Sequence, residues 1–269
     1  MKIAFIGGGV MGEAMVSGLL NKKVVEAGAI LVSDIDQARR KALAEKYGIQ
    51  CTGDNRSAID CDVLILAIKP QSLGGVLAEL KGRLRPQQLV LSIVAGASIK
   101  TISEGLGHEP VVRVMTNIAV QVGEGFSIWT ATAAVSQVQI ETTRTILTAL
   151  GKEIYASDER YIDMATAVSG SGPAYIFLVV EALVEAAVHI GLPLGLAKEL
   201  VLQTMLGSAR LAQASGKHPA ELRNMVTSPG GTTAEGLLRL EEGGVRAILA
   251  QAVIAAHEKA KALARGDKG

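Results

Sequence analysis

The sequence predicts an α/β protein in which a doubly wound parallel sheet fills the N-terminal part and an all-helical domain follows it. Three observations carry this expectation. Short β-branched runs alternate with amphipathic stretches through the first half, the signature of strands joined by helical crossovers. The strand signals then stop, and everything after Tyr155 reads as helix. Aromatic residues make up only 3% of the chain while alanine, leucine and valine abound, which suits closely packed helices and a sheet buried on both faces. At 269 residues the chain also exceeds the usual size of one domain. The change of rhythm divides it into residues 1–155 and residues 156–269.

The runs that read as strands are Ile3 to Ile6, Ile30 to Ser33, Val63 to Ile68, Leu89 to Val94, Val111 to Met115 and Phe126 to Thr130. Asp36 to Tyr47 reads as a connecting helix with Asp36 as its cap, because a short carboxylate side chain can accept from the unpaired amides of a first turn. In the second half the helices run over Asp158 to Val168, Pro173 to Ile190, Leu196 to Ser215, Ala220 to Val226, Thr232 to Glu242 and Gly244 to Ala264, separated by Gly191, Gly216 and the Gly243–Gly244 pair. Several of them are apolar on more than one face, as with Ile176, Val179, Val180, Leu183, Val184 and Ala187. One layer of neighbours does not bury such a helix, so an interface between subunits is expected.

Lys and Arg total 27 against 26 Asp and Glu, which leaves no basic surplus for nucleic acid or an anionic membrane. A small-molecule ligand is expected instead. The opening MKIAFIGGG breaks its apolar run with glycines, unlike a secretory signal, and points to the cytoplasm. Glu181, Glu185 and His189 interrupt the apolar run from Ala174 to Leu192, which reads as a buried helix rather than a bilayer span. Those three side chains share one helix face; a polar stripe at a subunit contact is the expectation, and no metal site is assigned. Cys51 and Cys61, ten positions apart with no histidine close by, read as ordinary reduced thiols.

The first strand runs directly into Gly7-Gly8-Gly9-Val10-Met11-Gly12 and then an amphipathic helix, so the GxGxxG pattern stands in a strand-to-helix context. Gly7 permits the tight turn, Gly9 lets the backbone approach a pyrophosphate, and Gly12 lets helix and strand pack closely, leaving the phosphates on the positive helix N-terminus. The second strand ends in Ser33 followed by Asp34, about twenty residues after the last glycine, where the adenosine ribose of a dinucleotide lies. A carboxylate accepts from a ribose 2′-hydroxyl and repels a 2′-phosphate, so Asp34 favours NADH over NADPH. Arg39 and Arg40 on the next helix stand against it if either reaches a 2′-phosphate rather than lying solvated. Ala67-Ile68-Lys69-Pro70-Gln71 follows one further strand and Ser92-Ile93-Val94-Ala95-Gly96 ends another, and both loops are expected to wall the ribose and nicotinamide.

Two segments of the helical half are richer than packing requires: Ala167-Val168-Ser169-Gly170-Ser171-Gly172-Pro173-Ala174-Tyr175 and Val226-Thr227-Ser228-Pro229-Gly230-Gly231-Thr232-Thr233-Ala234-Glu235. The second leads into a helix whose first amides lack internal partners, a place suited to a carboxylate. Thr232 and Glu235 have the spacing of a capping box, which makes Thr233 the hydroxyl left for a ligand.

Through GGGxM at the N-terminus, Ala67-Ile68-Lys69-Pro70-Gln71, SGSGPAY, and TSPGGTT with its following Glu235-Gly236-Leu237-Leu238, the chain closely resembles the pyrroline-5-carboxylate reductase family. The likeness covers essentially the whole length, and TSPGGTT is its most specific part. It implies a Rossmann-type domain and a helical dimerisation domain in a homodimer, often assembled as a ring of five dimers. It also implies reduction of pyrroline-5-carboxylate to proline by NADH or NADPH, the last step of proline synthesis. By position it implies that Thr233 bonds the ring nitrogen or carboxylate and acts catalytically, and that Gly230, Gly231 and Thr232 hold the carboxylate. Glu159 and Ser171 fall on the substrate side, and Asn55 at the cofactor.

The family pattern MPNxP appears here as Met115-Thr116-Asn117-Ile118-Ala119, with both prolines missing, which predicts a looser loop around Asn117 near the nicotinamide. Ile35 stands where many relatives have arginine, again favouring NADH. A protonated imine is already electrophilic, so no histidine base is needed and the scattered His108, His189, His218 and His257 agree. A β-hydroxyacid dehydrogenase would place a lysine on the helix after the glycine-rich substrate loop, and none occurs from Pro173 to Ile190. A nucleotide sensor that kept the fold would bind cofactor without turning it over.

Overall fold

The computed structural model describes residues 1–264. They form two compact units: Met1–Ser171 together with the end of the last helix from Ala255, and Gly172–Ile254. The first carries eight strands: β1 (Ile3–Ile6), β2 (Ile30–Ser33), β3 (Gln50–Thr52), β4 (Val63–Leu66), β5 (Leu89–Ser92), β6 (Val111–Met115), β7 (Gly125–Ala131) and β8 (Gly151–Tyr155). They lie in the order β3-β2-β1-β4-β5-β6-β7-β8, and every pair is parallel except β6 with β7. The first six have the order of a dinucleotide-binding doubly wound sheet.

The helices of this unit are α1 (Val10–Asn21), α2 (Gln37–Tyr47), α3 (Pro70–Leu80), α4 (Ile99–Leu106), α5 (Gln137–Thr148) and α6 (Arg160–Ala165). They cover both faces of the sheet because successive strand residues point to opposite sides. Ile3 and Phe5 of β1 pack in one core with Met15 and Leu19 of α1, Leu43 of α2 and Ile146 of α5. Ala4 and Ile6 of the same strand join the opposite core, with Leu73 and Leu77 of α3 and Ile102 and Leu106 of α4. Asp36 caps α2 as expected, accepting from the Ala38 and Arg39 amides. The sheet unit runs past Tyr155 to Ser171, because α6 packs on β6 and β7.

Two strands escaped the sequence pattern. β3 has only three residues, and β8 is the outer edge, where Lys152, Glu153 and Tyr155 break the apolar alternation. β8 is held instead through Trp129, which is fully buried, bonds Glu153 through its indole N–H at 2.5 Å and stacks edge-on against Tyr155.

The second unit contains α7 (Gly172–His189), α8 (Leu194–Ser215), α9 (Pro219–Met225), α10 (Thr232–Glu242) and most of α11 (Val245–Ala264). Gly191, Gly216 and Gly244 end their segments at positive φ. Only Val184 and Ala197 are buried in this unit, while Ile176, Phe177, Leu178, Leu183, Leu202, Leu206 and Ile248 are exposed. The expectation that the Ala174 to Leu192 run is a buried helix is therefore corrected for the single chain. By length and composition alone Arg160–His189 would suffice to cross a membrane. The α7–α8 pairing leaves each helix a second apolar face, and a unit without a core of its own needs another surface against it.

Leu64 is fully buried at the centre of β4. Leu64→Ala should cost about 2–5 kcal/mol of stability, as large-to-small core replacements do. Urea unfolding followed by circular dichroism checks it, and a midpoint equal to wild type contradicts the packing described.

Candidate active site

The strand order reverses between β1 and β4, and there the loops at the carboxyl ends of parallel strands diverge and leave a crevice. Backbone packs on backbone at this point. A Cβ on Gly7, whose φ is +102°, would lie 2.4 Å from the Ala67 carbonyl oxygen, and one on Gly12 would lie 2.4 Å from that of Gly7. Gly9 differs, since a Cβ there would meet nothing within 4 Å. That open side lies at the start of α1, where Gly9 is the cap residue without a side-chain bond and the amides of Val10, Met11 and Gly12 precede the first internal helix bond, from Glu13 to Gly9. A set of amides without internal helix partners beside an unfilled glycine fits a pyrophosphate.

Asp34 follows β2 at the rim. Its Oδ2 accepts from the Gly8 amide at 2.7 Å and its Oδ1 from the Asp36 amide at 2.9 Å, so the carboxylate is aimed along the glycine loop. Neither arginine of α2 lies solvated. Arg39 turns back onto the loop, donating Nε to the Gly8 carbonyl at 2.5 Å and Nη2 to Glu13. Arg40 donates to the Asp34 carbonyl at 2.7 Å beside Gly53. Glu13 also accepts from Lys46 at 2.8 Å and Tyr47 at 2.9 Å. These partners, Lys46 foremost, hold its carboxyl down at about 2.

Ser33 donates its hydroxyl to Asn55 at 2.7 Å, and Asn55 donates its amide to Glu79 of α3 at 2.8 Å, so Asn55 is oriented from both sides. Ala67 binds the Ile6 carbonyl through its amide, Lys69 is exposed at the cap of α3, and Pro70 occupies the first turn of that helix, where its missing N–H costs nothing. Ala95 precedes Gly96, whose φ is +71°. Asn117 caps the short 3-10 turn Ile118–Val122 by accepting from the Ala119 amide, and its side-chain amide donates to Ser169 at 3.1 Å. The loop without its prolines is thus tied by one side chain at two points.

Ser169 belongs to a π turn, Thr166–Gly170, closed by the bond from the Ser171 amide to the Thr166 carbonyl. π turns of this kind concentrate at functional sites. Glu159, just before α6, has its Oε1 engaged within the protein, accepting from Arg113 of β6 at 2.7 Å and from the Ile99 amide at 2.8 Å. Arg113, Asp163, Glu79 and Glu13 were not singled out in the sequence. Arg113 sits in an apolar strand run and Asp163 fifty positions away, so no local spacing joins them.

In the helical unit, Ser228–Gly231 is a β-turn closed by the Gly231 amide on the Ser228 carbonyl at 3.1 Å. Pro229 supplies the fixed φ of its second position and Gly230, at φ +67°, the left-handed third. α10 begins at once with Thr232. The capping box is corrected: the cap residue is Gly231, with no side-chain bond, because Thr232 is already the first helical residue. The Gly231 amide is committed to the turn. Among the described residues the Thr232 and Thr233 amides have no acceptor, and Thr233 is half-buried while Thr232 is exposed. The open amides of this helix start are therefore those of Thr232 and Thr233.

A doubly wound sheet with an open glycine cradle, an aligned carboxylate at its rim and a helical second unit defines a nicotinamide-dependent oxidoreductase. Two family models match, one described as NADP oxidoreductase coenzyme F420-dependent over residues 2–96 and one as pyrroline-5-carboxylate reductase dimerisation over residues 159–263. The chain belongs to the pyrroline-5-carboxylate reductase family. It is 39% identical to the pyrroline-5-carboxylate reductase of Synechocystis sp. over 98% of this chain and 99% of that one. It is 41% identical to that of Methanosarcina acetivorans, covering 98% of each. Among solved structures it is similar to a Plasmodium falciparum pyrroline carboxylate reductase with NADP bound, with a TM-score of 0.91, 33% identity and 98% of each chain covered. A pyrroline-5-carboxylate reductase from Coxiella burnetii matches with a TM-score of 0.87 and 38% identity over 97% of this chain and 98% of that one.

The depressed Glu13 carboxyl has a pH signature. A group held at about 2 in the fold against an ordinary 4.5 adds stability that is present above 4.5 and lost as pH falls toward 2. Glu13→Gln should melt below wild type at neutral pH, with the gap in Tm narrowing across that window. A gap constant from pH 7 to pH 2 contradicts the assignment.

Proposed function

We propose that this chain reduces the C=N bond of 1-pyrroline-5-carboxylate to L-proline, with NADH favoured over NADPH as the hydride donor. The reaction is the last step of proline synthesis, carried out in the cytoplasm by a homodimer that assembles into a pentamer of dimers. The observation that carries the activity is the open glycine cradle with Asp34 aligned on it, in a chain whose reductase relatives match it end to end. The nicotinamide supplies the hydride, and the protein binds, orients and excludes water.

In this reading the amides of Val10, Met11 and Gly12 hold the pyrophosphate beside Gly7 and Gly9, and Ser33, Asp34 and Asn55 face the adenosine ribose. Ala67, Lys69, Pro70, Ala95, Gly96 and Asn117 line the rest of the cofactor. The turn through Gly230 and Gly231 places the amides of Thr232 and Thr233 for the substrate carboxylate, where a helix start favours negative charge. Thr233 directs its hydroxyl at the ring nitrogen region as the catalytic contact. Glu159 and Ser171 serve the substrate side through the segment they bracket. The exposed apolar faces of α7 and α8 support dimer formation by the helical residues from 156 onward.

Mixing protein, NADH and pyrroline-5-carboxylate and following absorbance tests the activity directly. Cofactor binding without turnover would leave only a nucleotide-binding protein. Thr233→Ala should lower turnover by about tenfold or more while leaving NADH affinity nearly intact, as loss of an orienting contact does. Unchanged turnover retires Thr233. For the cofactor, kcat/KM with NADH should exceed that with NADPH, and Asp34→Ser should narrow the difference by relieving repulsion of a 2′-phosphate. A wild-type preference for NADPH overturns the role given to Asp34.

A further inference from the structure

Arg113 lies on β6 with its side chain only 3% exposed, on the face of the sheet that otherwise holds Val111 and the apolar core around α3 and α4. A guanidinium is costly there unless it is paired, and two carboxylates pair it: Glu159 Oε1 to Nη1 at 2.7 Å and Asp163 Oδ1 to Nη2 at 2.6 Å. The third nitrogen, Nε, is buried without a partner among the described residues. A pairing that leaves Nε unmet is not the cheapest way to fill this space, since apolar residues of similar volume often serve stability as well. Its geometry does something that packing alone does not. Glu159 Oε1 also accepts from the Ile99 amide at 2.8 Å, at the first residue of α4, directly after the Ala95–Gly96 loop. Glu159 and Asp163 flank and belong to α6, which continues into the Thr166–Gly170 π turn whose Ser169 accepts from Asn117. Asn117 in turn follows β6, the strand that bears Arg113.

We propose that Arg113 is a positioning residue for the reductase reaction: through Glu159 and Asp163 it fixes the depth of the α6 segment against the sheet, so that Ser169 and Asn117 stay joined beside the Ala95–Gly96 loop. This rests on the reductase reading above. One guanidinium thereby locks the ends of three chain segments that deliver loops to the same crevice. It acts on turnover through the π turn rather than by touching cofactor or substrate.

The test uses the full-length enzyme with NADH and pyrroline-5-carboxylate. Wild-type turnover establishes the reductase reading by itself, so its failure is seen before any variant is compared. Arg113→Lys keeps the charge but loses the two-pronged geometry. It should lower kcat by about tenfold, with NADH affinity measured by fluorescence within about threefold of wild type, the pattern expected of misplacement rather than lost binding. Ser169→Ala should also lower kcat, and the double variant should be no slower than the worse single, because both act through one contact. Wild-type kcat in Arg113→Lys overturns the proposal, as do fully additive effects in the double variant. Should Arg113→Lys fail to fold by circular dichroism, Asp163→Asn combined with Ser169→Ala is read by the same criteria.

Discussion

The cofactor half of this protein depends on a close meeting of backbone with backbone. Gly7 turns under the Ala67 carbonyl and Gly12 packs on the Gly7 carbonyl, each at a distance that leaves no room for a side chain. Only because α1 comes that near to β1 and β4 do its first amides open onto the crevice with nothing above Gly9. The network around it keeps the loop in shape. Asp34 holds the Gly8 amide, Arg39 the Gly8 carbonyl, and Glu13 gathers Arg39, Lys46 and Tyr47. Asp34 and Arg39, whose positions suggest ligand recognition, are thus partly committed to holding the glycine loop still.

The helical unit follows a different logic. Its two buried residues, Val184 and Ala197, do not make a core, and its leucines and isoleucines face outward on several sides. Hydrophobic surface of this extent is stabilised only when another surface removes it from water. A family model for dimerisation matches over this region, which gives the exposed faces their physical purpose. Stability and assembly are then one property for this half of the chain.

Much of this was legible in the residues. The β1 and β2 runs, Asp36 as a cap and Thr232 to Glu242 as a helix were found where they were expected, because a local period or a local cap is a short-range fact. The same locality misled at Thr232, where the spacing to Glu235 suits a capping box but the Pro229–Gly230 turn starts the helix one residue too early for it. It failed for β8, whose Lys152 and Glu153 look like loop until Trp129 and β7 are placed beside them.

By itself the sequence determined the fold class, the glycine turn between β1 and α1, the family and the turn that opens α10, since each is written in glycines, prolines and periodic apolar residues whose effect spans a few neighbours. The tertiary structure alone decided which distant polar groups meet. Arg113 finds Glu159 and Asp163 across 46 and 50 positions, Asn55 finds Glu79 across 24, and Arg39 finds the glycine loop across 31. Such pairs leave no mark in local spacing, because their contact is created by the packing of helices on the sheet and not by the chain between them.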